Sequence, residues 1–389
     1  MSSGVPTAVV TVTGAGTWRL NSLTIQAGGT FTADTATITM DGNWNSSAGT
    51  FTIGTSTVVF AATGTITTPS DESINQFYNL TINASITTTI ASDFGVRNQT
   101  TVNGTLTGEF IIRLANNFSQ VTPLVLGGAG SVSGVGTVRY VPKVSFSVVG
   151  TTYNNLTLWN FAAGSVATLA GAIAVTNDLL MRVETNTSAI NNYAITTGSL
   201  TMDGGGESIL RTNTSTVTIN GADNLTATAG YVVSGAAGSW TVSGAWTNDS
   251  TSASWSFAAP ITFNAGANQT MTFAGTNLAG AEFDSVTFTS SAGTAQTFTM
   301  ATRGLRWLTT LTVSDTVSTT ALASADLALG AAADAAAITI GNGGILTANA
   351  STVLINAFTM TGGTSGTLTI TTGAWTVSGN WNSSGASSV

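Results

Sequence analysis

The chain has 389 residues, a net charge of −8 and a charged fraction of 7%, against about 25% in ordinary soluble domains. It has no Cys and no His, which excludes disulfides, thiol chemistry, the usual zinc and copper ligands and the commonest general base. The nine basic residues are scattered from Arg19 to Arg306, so there is no basic stripe of the kind nucleic-acid binding requires.

Strand signals begin at Val9-Val10-Thr11-Val12-Thr13 and continue to the far end. In chain order they include Ala36-Thr37-Ile38-Thr39-Met40, Thr57-Val58-Val59-Phe60, Thr216-Val217-Thr218-Ile219, Ile261-Thr262-Phe263, Thr287-Phe288-Thr289 and Thr367-Leu368-Thr369-Ile370. Each alternates apolar residues with Thr or Ser and ends near Gly, Asn or Asp, the pattern of a half-buried strand between turns. Hydrophobic residues make up 42% of the chain, and Thr and Ser contribute 74 and 40 residues. That balance predicts an ordered chain whose solubility rests on hydroxyls and amides rather than on charge. An Ala-rich stretch, 324–337, is interrupted by Gly330 and followed by Ile338-Thr339-Ile340, so it is not read as a helix. The most apolar run, 166–175, is far shorter than the ~20 residues a membrane span needs, and Met1 to Pro6 carry no basic and apolar signal-peptide pattern.

Internal repeats set the architecture. Trp240-Thr241-Val242-Ser243-Gly244-Ala245-Trp246 returns as Trp375-Thr376-Val377-Ser378-Gly379-Asn380-Trp381, with an earlier relative at Ile38-Thr39-Met40-Asp41-Gly42-Asn43-Trp44. Phe77-Tyr78-Asn79-Leu80-Thr81-Ile82 is matched by Tyr153-Asn154-Asn155-Leu156-Thr157-Leu158 and by Phe283-Asp284-Ser285-Val286-Thr287-Phe288. The order of motifs predicts modules over roughly 1–125, 126–238 and 239–374, with an incomplete module at 375–389. No Pro-rich or charged linker separates them, which favours one continuous all-β repetitive parallel β-solenoid (β-helix). A tandem array of β-sandwich domains is the alternative.

At Gly42-Asn43-Trp44-Asn45, Thr57-Val58-Val59-Phe60 and Phe77-Tyr78-Asn79-Leu80-Thr81-Ile82 the chain resembles the β-strand-repeat extracellular surface proteins of bacteria and some archaea, akin in texture to adhesins and autotransporter passengers. The resemblance implies a parallel β-solenoid with a structural or adhesive role and supplies no catalytic residues.

The repeat positions Trp44, Phe60, Leu80, Ile82, Leu156, Leu158, Trp246, Val286 and Phe288 are expected to line a continuous interior. Sugar stacking is the functional reading of Trp44, Trp246 and Trp381; burial of indole area is the structural one, and regular recurrence favours it. Asn79 and Asn155 are read as turn residues whose amides stack from rung to rung. The densest acid-and-base groups are Asp71-Glu72 and Asp178, Arg182 and Glu184; neither repeats, which disfavours a polysaccharide-acting β-helix enzyme. Gly204-Gly205-Gly206 after Asp203 reads as a turn rather than a calcium loop. Thr-x-Thr pairs are frequent but irregularly spaced, which disfavours an ice-binding array and suggests ordinary exposed strand faces.

These observations predict a non-enzymatic structural subunit of an extracellular or cell-surface fibre, without cofactor or metal, that associates head to tail with copies of itself. Val9, Val10, Thr11, Val12, Thr13, Trp375 and Trp381 are the expected junction residues. An adhesin or phage-fibre-like solenoid that binds receptors or surface glycans is the alternative function.

Overall fold

A computed structural model describes residues 9–11, 14–71, 75–116, 118–159, 164–186, 192–203, 208–221, 225–227, 231–248, 256–273, 282–290, 297–300, 306–313, 318–321, 337–341, 345–349, 353–360, 367–370 and 375–383. Among them Val12, Thr13, Glu72, Gly204 to Gly206 and nearly all of the Ala-rich stretch are not included. The described chain is all-β and contains no helix. Its described strand pairings are parallel, which a tandem β-sandwich, built from antiparallel hairpins, would not give. The chain is therefore a parallel β-solenoid. It divides into two units, residues 1–179 and 180–389, the division falling within the strand Ile173–Arg182.

In the first unit an early turn consists of Thr17–Leu20, Leu23–Thr24 and Thr30–Thr32. Each strand pairs with its counterpart in the next turn, so side chains stack in columns. Trp18, Ile38, Val58, Leu80, Thr100 and Leu124 form one column, at steps of 20, 20, 22, 20 and 24 residues. Leu23, Trp44, Ile66 and Ile90 form another, and Phe31 and Phe51 belong to a third, whose strand Val9–Thr11 pairs with Thr30–Thr32. Strict alternation puts one face of each strand inside. In Thr37–Met40 and Thr57–Phe60, Ile38, Met40, Val58 and Phe60 are buried while their neighbours are half-exposed. Each such side chain contributes about 1.5–3 kcal/mol of burial.

Corners are set by residues that accept a left-handed backbone. Gly14, Asp34 and Gly54 recur 20 residues apart with φ of +82°, +48° and +51°. The Gly14 amide donates to Asp34 Oδ2 at 3.0 Å, and the Thr55 amide to the Asp34 carbonyl at 2.7 Å. A Cβ on Gly54 would lie 2.0 Å from that carbonyl oxygen, so only glycine fits beneath Asp34.

The second unit keeps the same logic with less regular turns. Ile195, Val217, Trp240, Ile261, Val286, Leu311, Ile338, Phe358 and Trp381 form one column at steps of 22, 23, 21, 25, 25, 27, 20 and 23 residues. Register is held while loop length varies, because only the strand residues must superpose on their neighbours.

The repeated aromatic motif marks one kind of corner. In Asn75–Ile82 the register against the next turn shifts between Phe77 and Asn79. In Glu282–Ser290 it shifts between Phe283 and Ser285. A bulge there bends the strand around the core without a loop, and Phe77 and Phe283 fill the inside of the bend. Phe60, Leu80, Ile82, Leu156, Leu158, Val286 and Phe288 are all fully buried.

Two substitutions test this packing. Leu80→Asp places an unpaired carboxylate in the core at a cost of several kcal/mol, and thermal melting followed by circular dichroism should show a large fall in Tm. Gly54→Val combines the contact with Asp34 and a left-handed penalty of about 1–2 kcal/mol and should also lower Tm. Asp34→Gly, which keeps that backbone conformation available but loses the carboxylate bond to the Gly14 amide, should lower it less.

Candidate functional site

Side-chain amides run along the first unit as a chain of donors and acceptors. Gln120 Nε2 donates to Asn98 Oδ1 at 3.1 Å, Asn98 Nδ2 to Asn79 Oδ1 at 2.8 Å, and Asn79 Nδ2 to Thr57 Oγ1 at 3.2 Å. Asn155 follows the same principle: its Nδ2 donates to the Gly136 carbonyl at 2.7 Å, and its Oδ1 accepts from the Asp178 amide at 3.2 Å. These amides tie each turn to the next, so their polar atoms are already committed to the scaffold.

Ions do the same. Arg19 makes a two-point contact with Asp41, at 2.6 and 2.8 Å. Arg182 makes one with Asp203 at 2.7 Å through each oxygen, and Arg211 Nε donates to Glu184 at 2.5 Å. The hydrogen bond from Arg182 to Asp203 raises the guanidinium pKa, holding the charge in place. Of the sequence cluster Asp178, Arg182 and Glu184, Arg182 and Glu184 each pair with the following turn, and Asp178 is exposed. Asp71 is exposed as well. Among the described residues no three acids or other ligand types converge as a metal would require.

The tryptophans fall into two groups. Trp44 is fully buried, donates through Nε1 to Ser46 Oγ at 3.2 Å, and packs against Phe51 and Phe77 at centroid distances of 4.6 and 5.3 Å. Trp246 is buried against Phe263 and Phe283, both at 5.8 Å. Neither ring offers a free face to a sugar. Trp381, by contrast, is 50% exposed and stacks on Phe358 at 4.3 Å. The motif explains the difference. Within the second unit Trp240 is buried in one column and Trp246 lies on the next face. In the last copy Trp381 itself takes the column of Trp240, so this copy is displaced by one face. Trp375 is half-buried, on a strand that pairs with Val353–Ile355.

Of the other expected junction residues, Val9, Val10 and Thr11 pair with Thr30, Phe31 and Thr32. Val12 and Thr13 lie outside the described residues. Trp18, not expected from the sequence, is 46% exposed in the same column as buried Ile38 and Val58.

One buried polar pair also escapes sequence reasoning. Tyr140 and Tyr153 have their hydroxyl oxygens 3.1 Å apart, and the Tyr153 O–H donates to the Val149 carbonyl at 2.7 Å. The Tyr140 O–H therefore donates to the Tyr153 oxygen. Tyr140 belongs to the column of Leu114 and Leu158, and Tyr153 pairs with Val175. Their meeting depends on a corner that no local pattern announces.

Comparison with protein-family models, with curated proteins and with solved structures finds no match.

Burial pushes both phenols well above the ordinary tyrosine range. The fold favours the neutral form, so the stability these groups contribute is complete below about pH 10 and is lost as pH rises toward their raised values. Tyrosinate absorbance from Tyr140 and Tyr153 should be missing from the native alkaline titration and appear only with unfolding. Tyr140→Phe/Tyr153→Phe should lose no tyrosinate signal from that native titration.

Proposed function

We propose that the chain is a structural subunit of an extracellular, cell-surface fibre, acting through shape and head-to-tail association of copies, with no catalytic step assigned to it. The observation that carries this reading is the column of in-register strands in each unit, in which neighbouring turns are joined by the same parallel hydrogen bonds, stacked core residues and cross-turn amides and ion pairs. Such a ladder can be extended by another in-register strand without a change of chemistry. Trp381, half exposed on Phe358, and the Val9–Thr11 strand are the surfaces assigned to the junction. A contact between two different surfaces of the same molecule builds open filaments. Low charge and a surface rich in hydroxyls suit an extracellular polymer.

A second reading, an adhesin that binds acidic surface glycans, is favoured by one feature of the first unit. Exposed Arg97 lies over the Phe118 ring at 5.1 Å, while Arg113, over the Trp159 ring at 5.6 Å, is buried beneath the surface. Arg113 and Arg139 are register neighbours, and exposed Lys143 donates its amide to the Phe118 carbonyl.

Negative-stain electron microscopy over a concentration series tests the fibre directly. The native chain should form filaments; Trp381→Glu, or removal of residues 1–13, should leave folded, non-filamentous protein. Particles that stay discrete at every concentration, or filaments unaffected by both changes, would contradict the reading. Retention of the chain on an acidic oligosaccharide matrix, lost in Arg97→Glu, would favour the adhesin instead.

A further inference from the structure

The second unit carries a feature hidden in its sequence by variable loop length. Thr196, Thr218, Thr241, Thr262, Thr287, Thr312, Thr339 and Thr359 pair one with the next through eight successive turns. Each is half-exposed and points away from the core, between buried neighbours such as Trp240 and Val242, or Ile338 and Ile340. Thr is 74 of 389 residues, so an unbroken run of eight does not follow from composition alone. An outward column of the first unit shows the contrast: Arg19, Thr39, Val59, Thr81, Thr101 and Val125.

Consecutive members of the column are about 4.8 Å apart, the strand spacing of a sheet. A β-branched side chain has restricted χ1 freedom, so each methyl and hydroxyl is confined to few orientations. Among the described residues none hydrogen-bonds to any of the eight hydroxyls. Beside the column stands a second rank of small residues, including Ser239, Ser285, Thr310 and Ala337. The residues of the column and of this rank are therefore uncharged and free of aromatic rings, with Asp284 beside Ser285 at one edge. A small ligand would engage one or two of these groups and leave the rest without purpose. A glycan chain is usually gripped by ring stacking or charge, and this face supplies neither. The partner that uses all eight at once is itself a flat lattice of uncharged hydrogen-bonding groups.

We propose that this threonine column is an ice-binding face: its hydroxyls hydrogen-bond the water lattice at a fixed repeat, and its methyls exclude mobile water between them. This goes beyond the structural role proposed above and does not depend on it, since filament formation is read by microscopy and ice binding is read separately.

The test is partition of the purified chain into a slowly grown ice hemisphere, with crystal shape observed in parallel. The native chain should be enriched in the ice and should facet the crystals. Thr262→Lys/Thr287→Lys, which changes only outward positions, should lose both effects while keeping the native circular dichroism spectrum and Tm. Thr101→Lys, in the broken column of the first unit, should retain them. Absence of enrichment in the native chain, or enrichment unchanged in the double variant, would overturn the proposal. So would a native dimer that the double variant dissociates, since the face would then be covered by a second copy.

Discussion

The structure depends on one constraint: a strand residue must superpose on its register partner in the neighbouring turn. A parallel ladder satisfies backbone hydrogen bonds only between turns, never within one. No turn can therefore satisfy its backbone or bury its apolar face alone. The Trp18-to-Leu124 column and the Ile195-to-Trp381 column express the same rule over different step lengths. Side chains obey it too: amides hand a hydrogen bond from turn to turn, and arginines reach across to acids on the adjacent turn. Several of the few charged residues are employed as cross-turn ties, Arg19 with Asp41, Arg182 with Asp203 and Arg211 with Glu184.

The fold class was legible in the residues because alternation and turn chemistry are local. Thr57-Val58-Val59-Phe60 reads as a strand with Val58 and Phe60 inside, and both are buried. The aromatic motif at Phe77 and Phe283 was visible as a repeat, but its meaning was not. A bulged corner is a property of the register against the next turn, and register is not written in one strand. The tryptophan motif shows the opposite failure. Segments 240–246 and 375–381, alike at six of seven positions, sit one face apart, because local identity does not fix phase once intervening loops change length.

The threonine column was obscured for the same reason. Irregular spacing along the chain suggested irregular spacing in space. The loops take up the differences, and the strands return to register at each turn. Sequence periodicity is thus a sufficient sign of a regular face but not a necessary one. The Tyr140–Tyr153 pair and the Arg97–Phe118 contact were invisible because each joins residues from corners whose geometry is set by loops.

The central claim is the register of consecutive turns, and the chain's lack of cysteine allows it to be measured by engineered disulfides. Register neighbours stand about 4.8 Å apart, within the Cα separation that a disulfide tolerates, whereas residues two turns apart stand at about twice that distance. Thr241→Cys/Thr262→Cys joins neighbours, and Thr241→Cys/Thr287→Cys skips a turn. Mild oxidation should close the first pair quantitatively within single chains and leave the second as free thiols. Failure of the first pair to close, or equal closure of the second, would contradict the parallel in-register solenoid.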